Sequence, residues 1–418
     1  MAQTVTTQLG SNAVAPPAMP VPNESLPEQH HLKEPEQTSS TQLGPGTIAP
    51  PATHTAAIDE DLVYPDLPPF PEDVPTAPLL RLSLRKLAQG DADEKERLWR
   101  ASCDVGFFYL DLRNSNHDSK RDSAQDLLAT DTSTSEAKDN QIDGAALIRD
   151  AEKLFKLGEQ VYALPVEEKQ KYDFKDRGSY FGYKGFGAGV IDSKGTRDRN
   201  EFYNVSKDDI LGLGERLPAP DVLEDEGNRN LLRNYMVRSH AVITLLLGVL
   251  NEKLSLPPET LQHLHRLRGV SGDQVRWVRS PPQVSITLQH RTSDWKVDQL
   301  NQPLDDRGKA LGEHTDFGSM TVLFNRLGGL QILPPDSEQW CYVKPLRGHC
   351  VCNLGDAMVK FTAGVLRSNI HRVVNPPGEQ GDSTRMSLVY FARPEDEVIL
   401  QTLEGSELID EKRKGQVS

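Results

Sequence analysis

Glu313-His314-Thr315-Asp316-Phe317-Gly318-Ser319-Met320-Thr321 is the stretch from which the rest of the chain is best read. It holds a histidine and an aspartate two residues apart, and His371 follows 55 residues after Asp316. Two imidazoles and one carboxylate are the donor set of a mononuclear non-haem Fe(II) site that keeps coordination positions open. Residues i and i+2 of a strand project to one face. His314 and Asp316 therefore reach one metal if this stretch is extended or forms a sharp edge. His371 must come from a distant strand that a rolled sheet brings alongside. A zinc site of the same donors is the alternative, but no HExxH helix accompanies the motif.

Downstream lies Arg385-Met386-Ser387, which runs into the apolar Leu388-Val389-Tyr390-Phe391. On a strand, Arg385 and Ser387 share a face. A guanidinium fork grips a carboxylate at two points and a hydroxyl adds a third, so the pair suits the far end of a small organic acid. From about Gln283 the chain reads as short β runs: 284–288, 320–324, 330–333, 341–343, 351–353, 371–374 and 387–391. Gly328-Gly329, Pro334-Pro335, Gly355-Asp356 and Pro376-Pro377-Gly378 mark turns between them. Many short strands at this spacing predict a β-sandwich or barrel.

Helices precede it. The patterns predict helices over 92–102 and 145–163, a short one opened by Pro165, and a long amphipathic one over 227–254. Residues 105–110 suit a buried strand. Five glycines among aromatics over 178–190 are not a dinucleotide fingerprint; they read as a flexible loop beside a pocket. Residues 1–73 are rich in Pro, Thr, Gln and Ser, contain an imperfect duplication (7–18 and 41–52), and read as a disordered tail. Residues 113–143 read as a polar insertion. The expected organisation is thus the tail 1–73, an N-terminal region 74–275 with its insertion, a β domain 276–400 and a C-terminal tail 401–418.

Sixty-one acidic against 47 basic residues give a net charge of −14. Nucleic-acid binding as the main activity is therefore not expected. Four scattered cysteines make no disulfide framework. The first residues resemble no secretory signal, and the most apolar run, 241–250, is far shorter than the ~20 residues of a membrane span. A cytoplasmic protein without a membrane partner is expected; oligomeric state is not legible.

The chain resembles the isopenicillin N synthase-like branch of the Fe(II)- and 2-oxoglutarate-dependent dioxygenases. The resemblance covers roughly 74–400 and rests on Ala101–Tyr109, Gly182–Phe186, Glu313–Thr321, Gly329–Leu333, Asn353–Asp356 and Arg367–Asn375. It implies a mainly β protein with flanking helices, built on a double-stranded β-helix (jelly roll) core with an N-terminal α/β extension. It implies His314, Asp316 and His371 as iron ligands, with Arg385 and Ser387 on the distal carboxylate of 2-oxoglutarate. The cofactor set is Fe(II), 2-oxoglutarate and O2, with ascorbate as an optional addition. The implied reaction is hydroxylation, desaturation or cyclisation of a small, specialised-metabolite substrate with release of succinate and CO2. Many relatives place a tyrosine on the strand before the HxD motif; here His290 falls near that position. Asn353 and Asp356 read as turn-forming residues. Tyr180, Phe181, Tyr183, Phe186, Phe202, Phe317 and Phe391 are the candidate pocket lining, which fits an apolar or partly aromatic molecule better than a highly anionic one. Two other readings stay open: an oxidase that binds its own substrate through Arg385 and Ser387 without 2-oxoglutarate, and a non-catalytic binding protein on the same fold.

Overall fold

The computed structural model describes residues 62–113, 142–191, 193–282 and 309–417. The duplicated segment, residues 114–141 of the insertion, the strand expected at 284–288 and His290 lie outside the described residues.

Twelve strands are formed among the described residues. In chain order they are β1 (Arg81–Ser83), β2 (Phe107–Asp111), β3 (Gly182–Lys184), β4 (Glu201–Ser206), β5 (Gln274–Ser280), β6 (Lys309–His314), β7 (Met320–Asn325), β8 (Leu330–Ile332), β9 (Cys341–Tyr342), β10 (His349–Leu354), β11 (His371–Val374) and β12 (Arg385–Ala392). Eight of them make one sheet in the order β1-β2-β10-β7-β12-β5-β4-β3, and four make a second in the order β6-β11-β8-β9. Neighbours pair antiparallel except β1 with β2.

β12 shows why the layers form. Its side chains alternate between two faces, and both are covered. Leu388 and Tyr390 enter the core beneath the helices, while Val389 enters a second core with Phe107, Leu323, Val351, Leu330 and Ile332, drawn from both sheets. The strand is therefore apolar almost throughout, unlike a one-sided strand. Arg385, Ser387, Val389 and Phe391 face the inter-sheet space, opposite Ser280, Val278, Arg276 and Gln274 of β5.

The outer face of the large sheet is covered by helices. The Glu226–Lys253 helix starts at an N-cap, Asp225, that accepts from the Asn228 amide. Its stripe of Leu232, Met236, Ile243, Leu246, Leu247 and Leu250 is fully buried, each contributing about 1.5–3 kcal/mol by its removal from water. The Gly144–Ala163 helix is tied to β5 by Trp277, whose Nε1 donates to Leu154 O at 2.8 Å. No helix among the described residues is long and apolar enough to cross a membrane.

Several elements were not legible. β4 and β5 do not appear in the sequence reading, and the position expected to begin the β domain, residue 276, falls inside β5. The glycine-rich 178–190 segment contains β3, an edge strand paired with β4. In the stretch read as a C-terminal tail, Glu407–Val417 form a helix. It is docked by the fully buried Ile409 and by Ser406 Oγ donating to Leu254 O. The end of the segment read as an N-terminal tail also packs down: Phe70 meets Tyr342 edge-on at 6.1 Å, and Gln380 Nε2 donates to Pro68 O.

Candidate functional site

β6 ends at His314, and Asp316 sits in the turn that carries the chain to β7. The pair therefore presents a strand end and a sharp corner instead of one continuous strand face. His371 opens β11, which lies directly beside β6 with His371 opposite His314. The third donor thus comes from the adjacent strand. The two imidazole rings lie 4.2 Å apart. Asp316 Oδ1 is 3.9 Å from His314 Nε2 and 3.7 Å from His371 Nε2. The three donor atoms lie within 4.8 Å of one another, the one such cluster of histidine, cysteine and carboxylate side chains among the described residues.

The histidine tautomers follow from their partners. His314 Nδ1 lies 2.8 Å from Gly312 O, and His371 Nδ1 lies 3.1 Å from Asn369 O. A carbonyl only accepts, so Nδ1 carries the proton and Nε2 offers its lone pair to the centre, as metal-binding imidazoles require. Burial, and then the neighbouring His371, hold the His314 imidazole below its ordinary value. Two ring-nitrogen lone pairs and a carboxylate oxygen that face one another are a donor set that suits a divalent cation.

Asn353 was read as a turn residue. Its side chain instead donates from Nδ2 to Asp316 Oδ2 at 2.6 Å, while Thr321 Oγ1 bonds Asn353 Oδ1. This leaves Asp316 Oδ1 facing the imidazoles. Gly355 does shape the turn: a Cβ there would stand 2.1 Å from Gly318 O and 2.7 Å from Asp316 O. Asp356 donates its amide to Asp316 O and accepts from Thr315 Oγ1. A bond spanning 37 residues leaves no trace in sequence spacing, which is why the role of Asn353 was missed.

Arg385 and Ser387 lie on the inter-sheet face of β12, both buried. Arg385 Nε donates to Gly328 O at 2.8 Å, and its Nη1 lies 3.4 Å from Ser387 Oγ. It has no carboxylate partner among the described residues, and burial pushes its guanidinium down to about 10. A buried cation without a counter-charge is costly, so an anion seated against Arg385 would be stabilised there. Gly329, at φ +106°, makes room: a Cβ there would lie 3.0 Å from Arg385 Nε.

The candidate lining residues separate. Phe202 and Phe391 face the inter-sheet space and are half-buried. Tyr183 is turned to the other side of the sheet, where its hydroxyl donates to Glu201 Oε2. Phe317 is 68% exposed, and Tyr180 stacks on Phe181 at the rim. Phe107, which sequence reasoning did not single out, stands edge-on to His371 at 5.4 Å.

A 2-oxoglutarate-dependent dioxygenase of Aspergillus fumigatus is 30% identical over 372 residues, which span 84% of this chain and 84% of the relative. The chain belongs to the 2-oxoglutarate-dependent dioxygenases. The model of the 2OG-Fe(II) oxygenase superfamily matches this dioxygenase over residues 297–394, and the N-terminal model of the non-haem dioxygenases in morphine synthesis matches 146–223. The 2-oxoglutarate-dependent dioxygenase gloE of Glarea lozoyensis is 28% identical over 78% of this chain and 83% of its own length. In fold, the dioxygenase is similar to Neurospora crassa T7H solved with alpha-KG, with a TM-score of 0.58 at 20% identity, covering 80% and 91% of the two chains. It is thus an oxidoreductase on a jelly-roll core that uses Fe(II), 2-oxoglutarate and O2 on a small-molecule substrate. The readings as a 2-oxoglutarate-free oxidase and as a non-catalytic binding protein give way to it.

Proposed function

We propose that His314, Asp316 and His371 hold the iron of this dioxygenase, and that Arg385 and Ser387 hold the distal carboxylate of 2-oxoglutarate. The observation that carries this reading is the presence of two complementary groups in one inter-sheet space. One is a cluster of three converging donors; the other is a buried guanidinium against which no carboxylate side chain lies among the described residues. The donor chemistry fits Fe(II), whose open positions on the far side of a three-ligand face accept further oxygens.

When bound, iron with 2-oxoglutarate and O2 supplies the oxidising power, and succinate and CO2 leave. The chain's own part is positioning. Asn353 fixes Asp316 so that one oxygen faces the imidazoles, and the Gly312 and Asn369 carbonyls fix the two rings. Arg385, clamped by Gly328 O, sets the depth at which a dicarboxylate seats. Phe107 and Val389 belong to the buried apolar cluster between the sheets. A specialised metabolite as the substrate is supported by the company of fungal relatives. The net charge of −14 supports the absence of a nucleic-acid partner. Four free thiols support a cytoplasmic setting.

Anaerobic titration with Fe(II) and then 2-oxoglutarate tests the assignment. One iron per chain and a weak visible charge-transfer band are expected, with iron binding lost in Asp316→Ala and the band's 2-oxoglutarate dependence weakened in Arg385→Leu. Unchanged iron affinity in Asp316→Ala overturns it.

A further inference from the structure

We propose that Arg276 is the anchor for the prime substrate, and that this substrate is a carboxylic acid whose apolar body lies along Phe202 and Phe391. The proposal deepens, and rests on, the assignment of the metal and 2-oxoglutarate sites above.

Arg276 projects from β5 into the same inter-sheet space as Arg385, at the position opposite Val389 of β12. Its guanidinium lies 4.4 Å from the ring centre of Phe202 on β4 and 5.0 Å from that of Phe391 on β12. Its Nε donates to Asn204 Oδ1 at 2.7 Å, and Asn204 in turn donates from Nδ2 to Tyr180 O. Two rings thus contact the cation and Nε is spoken for. The terminal Nη edge is the part left to recognise a ligand, and among the described residues it has no hydrogen-bond partner. A fork offered edge-on is the geometry that binds a carboxylate at two points.

The nearby acids are already engaged. Asp198 pairs with Lys184, Glu201 with Lys169 and Arg279, and Asp273 accepts from Tyr390 Oη and the Arg393 amide. Asp316 is held by Asn353 and turned to the imidazoles. Asp316 is among the charges that act on Arg276, and Arg276 among those that act on His314, so Arg276 lies within electrostatic reach of the donor cluster. Burial, and then the neighbouring Arg393, push its guanidinium down to about 10. A cation in that position is stabilised by an incoming anion.

2-Oxoglutarate does not account for it. Arg385 and the Arg276 position lie four residues apart along the paired strands, about 13 Å at ~3.3 Å per residue, and each side chain is fixed by its own neighbour, Gly328 O or Asn204. A five-carbon diacid held at Arg385 with its keto end on the metal leaves Arg276 for a second molecule. The acidic balance of the whole chain argued against a highly anionic substrate. At Arg276 itself the charge is positive, with Arg393 as a neighbour, and fits one carboxylate. The two phenyl faces fit a flat or aliphatic body behind it.

The test is equilibrium binding, by calorimetry under anaerobic conditions, to the full-length protein loaded with Fe(II) and 2-oxoglutarate. The probes are phenylacetic, 3-phenylpropanoic, 4-phenylbutanoic and 2-naphthoic acids, each beside its primary amide. The acid of at least one pair is expected to bind 10-fold or more tighter than its amide. That preference should vanish in Arg276→Gln and partly return in Arg276→Lys, while the affinity for 2-oxoglutarate stays within twofold. Equal binding of acids and amides, no binding of any acid at millimolar concentration, or a preference that survives in Arg276→Gln overturns the proposal. So does a Gln variant that loses 2-oxoglutarate, because Arg276 would then serve the cosubstrate. A wild-type protein that takes up no Fe(II) or 2-oxoglutarate would instead fail the earlier assignment, before any acid is added.

Discussion

The two sheets divide the chemistry between them. The four-stranded sheet carries both imidazoles on neighbouring strands, and its β6–β11 ladder shifts register twice within four residues. The eight-stranded sheet carries both inward-facing arginines, Arg276 and Arg385, on strands hydrogen-bonded on both sides and backed by helices. Short, register-shifted pairing carries the two histidines proposed as metal donors; longer, continuous pairing carries the two arginines proposed to grip anions. The difference has a physical reason. A bound cation ties its own ligands together, so the strands that present them need little rigidity of their own. A buried guanidinium has no such help until its anion arrives, and only a fully packed strand keeps it in place meanwhile. Asn353 of the large sheet crosses this division by holding Asp316.

The strongest way to break this comparison is on the metal side. His371→Ala is expected to cut substrate turnover by at least about 1000-fold, since metal chemistry supplies several kcal/mol of the barrier reduction. Its far-UV dichroism should stay native. Turnover near wild type would remove His371 from the site. On the anion side, Arg385→Leu is expected to raise the apparent KM for 2-oxoglutarate about 10–100-fold, the worth of a charge-assisted hydrogen-bond pair, with iron stoichiometry unchanged. Iron lost together with 2-oxoglutarate would show the two sheets are not separable.

Asn353→Ala probes the bridge. Groups that orient metal ligands cost about 10–100-fold in metal affinity when removed, so Fe(II) should bind more weakly by that factor while 2-oxoglutarate seats normally once iron is saturating. An unchanged iron affinity would make the Asn353–Asp316 bond incidental. The smallest effect concerns stability and pH. Burial holds His240 and His265, both beneath the large sheet, below the ordinary histidine value of 6.5. The unfolded chain therefore binds protons that the folded one refuses as pH drops below about 6.5, and stability falls with it. Denaturant midpoints of the iron-free protein should be flat from pH 8 to 7 and decline from 6.5 downward. In His265→Gln the decline should be shallower.

What the sequence disclosed follows the same division. The convergence of His314, Asp316 and His371 was legible because two of them lie in one short phrase and the third opens a clear β run. Arg385 and Ser387 could be singled out because they open β12, whose remainder is apolar. β5 was not, because Gln274, Arg276 and Arg279 interrupt its apolar pattern. In the fold Arg276 sits against Phe202 and Phe391, and Arg279 pairs with Glu201, so the strand is packed without reading as hydrophobic. β4 hides for the same reason, its Glu201 and Asn204 being buried and paired. The long helix was legible from its stripe. The docking of the last helix rests on Ile409 and Ser406, too few contacts to leave a periodic signal.

The facing of His371 and His314 across β11 and β6 has a consequence for how the molecule is checked as it forms. Side chains on a strand alternate, so a slip of a single residue in this short ladder would turn His371 to the opposite face. A chain paired out of step would look much like the native one to a probe of overall secondary structure, yet it would be unable to gather its donors. Capacity to retain iron would then serve as a count of correctly threaded molecules.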